Sequence, residues 1–145
     1  MQHPNNKGVT IMELLVVVSV FLLIIAALTP FINMARSRSI RLECANNLRA
    51  ISLGLHAYAA DHNDSFPATL GELYPKYVDK ENIFDCPATK NVGTKEKPDY
   101  RYVFGLTESA SPKDIIAEDL DGNHKKHGKN ILTVGGSVEW ASARH

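Results

Sequence analysis

The sequence predicts an α+β chain: one long N-terminal helix, transmembrane in its first part and amphipathic in its second, packed on a small antiparallel sheet. Three observations predict it. An apolar run from Leu14 to Ile32 is broken only by Ser19, Thr29 and Pro30. A helical period of apolar residues follows it, and beyond residue 99 the pattern changes to short segments of strand type. The chain has 145 residues, 44% hydrophobic and 22% charged, with a formal net charge of +0. That size suits an anchor and one soluble domain, not two domains.

The apolar run is long enough to cross a bilayer as a helix. Glu13 stands at its mouth, and an unpaired acidic side chain in hydrocarbon costs on the order of 3 kcal/mol, so this charge calls for a partner. Residues 9–33 are expected to form the membrane segment and residues 34–145 the soluble domain, with the helix continuing over 34–60. In that continuation Ala45, Leu48, Ile51, Leu55 and Tyr58 fall three or four apart on one face. A helix from about Thr10 to Ala60 would measure roughly 75 Å at 1.5 Å per residue. Pro30 is expected to kink it or melt it locally, because proline removes one backbone donor and clashes with the preceding turn, at about 3 kcal/mol.

Asp61 to Pro67 are turn-forming residues that end the helix, and Thr69 with Glu72 reads as a capping box for a short second helix that Pro75 stops. Tyr100 to Phe104, Asp114 to Ala117, Asn130 to Val134 and Ser137 to Trp140 read as strands of a sheet over about 99–141. The last two are joined as a hairpin through Gly135-Gly136.

The segment Gly8-Val9-Thr10-Ile11-Met12-Glu13, preceded by a polar leader with Lys7 next to Gly8, resembles the N-terminus of type IV prepilins and type II secretion pseudopilins. The resemblance implies that a prepilin peptidase removes residues 1–8 by cutting after Gly8 and that Val9 is then methylated. It also implies that Glu13 meets the N-terminal amine of a neighbouring subunit. Many pilins carry a proline where Pro30 stands. Two positions depart from the family pattern, which more often has an aromatic residue at Val9 and a branched aliphatic at Met12. The implied product is a single-pass inner-membrane protein that becomes a structural subunit of a periplasmic or extracellular filament. Its partners would be copies of itself or related pilin-like subunits, the peptidase and the inner-membrane assembly machinery. The physics agrees, since an amine at Val9 and the Glu13 carboxylate neutralise each other between packed helices, where low dielectric strengthens the attraction.

Two plainer readings compete. Leu14 to Leu28 fits the apolar region of a secretory signal peptide by length, but no small-x-small cleavage site follows it and Glu13 sits where such peptides carry positive charge or none. The other is a membrane-anchored extracytoplasmic binding domain, possibly calcium-binding, that does not assemble.

Cys44 and Cys86 are the only cysteines. An even pair in an extracytoplasmic domain points to a disulfide, with two reduced thiols as the alternative. A zinc site would need His or carboxylate ligands at closing distance, and no zinc-like spacing accompanies either cysteine. In Glu118 to His124, oxygen-bearing side chains alternate around Gly122. Asp119, Asp121 and Asn123 are candidate ligands for calcium, a feature also found near the C-terminus of the major pseudopilins this chain resembles. An Asp-Gly turn gives the same letters for backbone reasons, and the bidentate glutamate of an EF-hand is missing. His124 and His127, flanking Lys125-Lys126, are read as surface residues.

Arg36, Arg38, Arg41 and Arg49 cluster after the apolar run without interleaved aromatics. They read as a solvated helix face or a contact for lipid headgroups, and no nucleic-acid partner is expected. Nor is an enzyme expected, since no serine sits in a nucleophile elbow and no carboxylates form an obvious catalytic pair. A hydrolase would instead need a concave pocket around Glu118, Asp119 and His127.

Overall fold

The computed structural model describes residues 9–124 and 127–143. The chain divides into two compact units, Met1–Ser37 and Arg38–His145. Helix α1 (Ile11–Asp61) begins in the first and ends in the second. Its first turn is capped by Thr10, whose Oγ1 accepts the Glu13 backbone N–H at 3.2 Å while its carbonyl accepts the Leu14 N–H at 3.1 Å. Within the apolar run, Ser19 Oγ donates to the Val16 carbonyl and Thr29 Oγ1 to the Ile25 carbonyl, both at 2.8 Å. The two hydroxyls are thereby satisfied without any partner outside the helix. Where the sequence allowed for a melted turn, the helix continues through Pro30. Proline withdraws a single N–H, and the turns on either side keep theirs.

In the second unit, Cys44, Leu48, Ile51, Leu55 and Ala59 form a buried stripe along α1 at helical spacing. The stripe packs on Leu70, Leu73, Phe84, Tyr100, Ile116 and Leu132 in one core. Ala45 is buried beside it, while Tyr58 is only partly buried at the edge. Fully burying side chains of this size contributes about 1.5 to 3 kcal/mol each, so this stripe and the sheet stabilise one another.

Two short 3-10 helices follow α1, Leu70–Leu73 and Glu81–Phe84. The first carries the expected capping box, with Thr69 N–H donating to Glu72 Oε1 at 3.0 Å. The second has no counterpart in the sequence reading. It delivers Phe84 to the core and Cys86 to Cys44, with which it forms a disulfide.

The sheet is an antiparallel meander of β1 (Tyr100–Tyr102), β2 (Ile115–Asp119), β3 (Gly128–Thr133) and β4 (Val138–Ser142), in that order. All four strands lie where the sequence placed them, displaced by one or two residues at most ends. The β3–β4 turn closes as Gly136 N–H donates to the Thr133 carbonyl at 2.9 Å, with Gly136 at φ 79. One boundary shift matters for the site. Glu118 and Asp119, expected on the loop to His124, belong to β2 instead, paired with Arg101 and Tyr100 of β1.

Candidate functional site

Two regions carry features that packing alone does not explain. The first is the N-terminal part of α1. Every large apolar side chain from Val9 to Met34 is exposed, on all sides of the helix. By length and composition this helix could cross a membrane. Glu13 lies in its first turn and is exposed as well. Gly8, the expected processing position, falls outside the described residues, while Val9 is exposed.

The second region lies where α1, the Cys86 loop, β2 and the β2–β3 turn meet. Each element is held there by its own bonds. Asn47 Nδ2 on α1 donates to the Asp85 carbonyl at 2.9 Å, and Tyr100 Oη donates to the same carbonyl at 3.3 Å. The Cys86 N–H donates to Asp99 Oδ2 at 3.2 Å. On the far side, the turn Leu120 to Asn123 is closed by the Asn123 N–H on the Leu120 carbonyl at 3.1 Å, with Gly122 at φ 97. Asn123 Nδ2 ties this turn to the Asp99 carbonyl at 2.9 Å.

These bonds bring His124 inward. Expected at the surface, it is 9% exposed, with its ring edge-on to Trp140 at 5.4 Å between centroids. Its Nε2 lies 3.0 Å from Asp119 Oδ2 and 3.8 Å from Cys86 Sγ. Asp119 is wholly buried, and its Oδ2 also accepts the Asn130 N–H at 2.7 Å and Asn130 Nδ2 at 2.9 Å. Among the described residues its Oδ1 has no hydrogen-bond partner. Nothing local marked His124. The pairing spans 38 residues to Cys86 and follows no short-range period.

The three candidate calcium ligands enter different contacts. Asp119 faces the buried cluster; Asn123 donates to the Asp99 carbonyl through its amide nitrogen. Asp121 stands at the surface, ion-paired with Arg101 Nη2 at 3.2 Å and Lys129 Nζ at 3.4 Å. Glu118 takes Arg101 Nη1 at 3.1 Å and Lys129 Nζ at 2.9 Å. The bond from Glu118 raises the Lys129 ammonium above its ordinary value, against a smaller opposing effect of burial. Burial raises the Tyr100 phenol well above its usual range, and the charges of Asp119, Asp85 and Asp99 add to that.

An open groove of about 340 Å³ is lined by Ala50, Leu53, Lys76, Tyr77, Val78 and Ile83.

Together these features define a class: an α+β chain with, among the described residues, one helix long and apolar enough to cross a membrane and a disulfide-closed domain built on a four-stranded antiparallel sheet. In comparisons with known proteins, no family model, no curated protein and no solved structure matches this chain.

Proposed function

We propose that the chain is a structural subunit, a pilin or pseudopilin, of a helical filament of the type IV pilus or type II secretion kind. In this reading a prepilin peptidase cuts after Gly8, and the subunit waits in the inner membrane until it is drawn into the filament. The observation that carries the reading is the uncovered apolar helix surface from Val9 to Met34 with Glu13 in its first turn. Lipid covers such a surface before assembly, and neighbouring copies of the same helix cover it afterwards. Only the second environment supplies a partner for Glu13, the Val9 amine of the next subunit, which sets the axial register.

The same surface also suits a membrane-anchored domain that never assembles, since one apolar helix is all an anchor needs. The mass and N-terminal residue of the protein from its native membranes or medium separate the two. A start at Val9 with one added methyl group supports the filament subunit. A start at Met1, or one beyond Leu28, removes it.

A further inference from the structure

Cys44, Cys86, Asp119 and His124 come from four different elements, yet one ligand-type atom of each lies within 4.8 Å of every other. All four are buried, Cys44, Cys86 and Asp119 at 0% and His124 at 9% exposure. Two thiolates, an imidazole and a carboxylate are a donor set for zinc, whose bonds of about 2.3 Å to sulfur and about 2.0 Å to nitrogen and oxygen give tetrahedral edges of about 3.3 to 3.8 Å. The His124 Nε2 to Cys86 Sγ distance is 3.8 Å and the His124 Nε2 to Asp119 Oδ2 distance is 3.0 Å. Opening the disulfide would free the two sulfurs to part, and the 3.0 Å nitrogen–oxygen pair would have to open by about 0.3 Å to reach such an edge.

A second observation points to a ligand. Asp119 is wholly buried, and among the described residues its Oδ1 has no hydrogen-bond partner. Among the described residues, His124 is the one basic group within 4.0 Å of this carboxylate. A disulfide-sealed core explains the burial of the sulfurs but leaves Oδ1 unexplained. Asn130, bonded to Asp119 through both backbone and amide, supplies the outer support that metal-binding carboxylates require.

We propose that these four residues bind a thiophilic divalent cation of the zinc class in the dithiol form of the chain, and that metal binding and disulfide formation are alternative states of one site. Cysteines are synthesised as thiols, so the metal-binding form comes first. On binding, each thiol releases a proton to solvent, and His124 carries its ring proton on Nδ1 while Nε2 gives its lone pair to the cation. A disulfide-bearing oxidant then accepts two electrons by thiol–disulfide exchange. Its two product thiols take two protons from solvent, the Cys44–Cys86 bond forms, and the cation leaves. This proposal does not rest on the filament reading.

The test uses the full chain in detergent micelles, oxygen-free, with the disulfide reduced by a phosphine. Co²⁺ is added first, then Zn²⁺ in competition with a chromophoric chelator. One cation per chain is expected, with a thiolate-to-cobalt charge-transfer band and the visible bands of a tetrahedral centre. The oxidised chain should bind about 100-fold more weakly, because disulfide sulfurs are poor ligands. The Cys44→Ser/Cys86→Ser chain should lack the band, and His124→Ala should weaken Zn²⁺ binding about tenfold or more. Should reduction unfold the domain, Zn²⁺ should restore the native circular dichroism. Equal binding by oxidised and reduced chains, no thiolate band, indifference to His124→Ala, or failure of Zn²⁺ to restore a reduced, unfolded chain would each overturn the proposal.

Discussion

Asn130 holds one oxygen of Asp119 twice, its backbone N–H reaching Oδ2 at 2.7 Å and its Nδ2 at 2.9 Å. The same amide nitrogen donates to the Arg41 carbonyl at 3.2 Å. One side chain thus joins β2, β3 and α1 around a buried carboxylate. Replacing Asn130 by alanine keeps the backbone bond and removes both side-chain bonds. The loss should be about 1 to 3 kcal/mol, the usual result when a buried acceptor is left short of donors. Denaturant unfolding of the full chain in micelles, followed by Trp140 fluorescence, measures it; an unchanged midpoint would show that the network carries no weight.

The disulfide joins residues 42 apart in sequence. A loop of that length restricts the unfolded chain by about 4 kcal/mol. With a chelator present, Cys44→Ala/Cys86→Ala should lower the unfolding free energy by about that much. A change below about 1 kcal/mol would mean that the α1 stripe and the sheet hold together without the crosslink.

Two glycines separate backbone strain from steric collision. Gly122 has φ 97, and nothing lies within 4 Å of where its Cβ would be. Alanine there meets strain alone and should cost about 1 kcal/mol. Gly128 has φ 139, and a Cβ there would run into the Ala141 carbonyl oxygen across the β3–β4 pair. Gly128→Ala should cost at least about 2 kcal/mol more than Gly122→Ala. The two unfolding midpoints give the order directly, and its reversal would contradict the close approach of β4 to Gly128.

Burial raises the phenol pKa of both Tyr100 and Tyr102 well above the ordinary range, with nearby acidic charges adding to it. Raised values in the folded state mean stability that is fully present below the unfolded value of about 10 and lost as pH climbs above it. The chain has five tyrosines. In an alkaline titration followed by phenolate absorbance, these two should ionise only as the domain unfolds. Tyr100→Phe should shift the alkaline unfolding midpoint to higher pH. Smooth ionisation of all tyrosines near pH 10, with the circular dichroism unchanged, would rule this out.

Glu13 belongs to the first unit and Arg38–His145 forms the second. Glu13→Ala should therefore leave the thermal unfolding of the sheet domain unchanged while reducing filament formation severely. Filaments at normal number and length, seen by electron microscopy of the variant strain, would remove Glu13 from the register.

What the sequence alone determined is whatever rests on short-range pattern. The apolar run, the helical period from Ala45 to Tyr58, the Thr69–Glu72 capping box and the Gly135-Gly136 hairpin all depend on residues within a turn or two of each other. Their geometry therefore shows directly in the spacing of letters. The cap of α1 is equally local, since Thr10 Oγ1 accepts the Glu13 backbone N–H three residues on. Tertiary structure decided the rest. Glu118 and Asp119 look like turn residues next to Asp121-Gly122, but pairing with Tyr100 and Arg101 draws them into β2. Placing His124 against Cys86 takes a sheet, a turn and a loop acting together, and no local preference encodes contacts made 38 residues apart. Such contacts form only once α1 and the strands share a core, because burial of that core offsets the cost of closing the long loops between them.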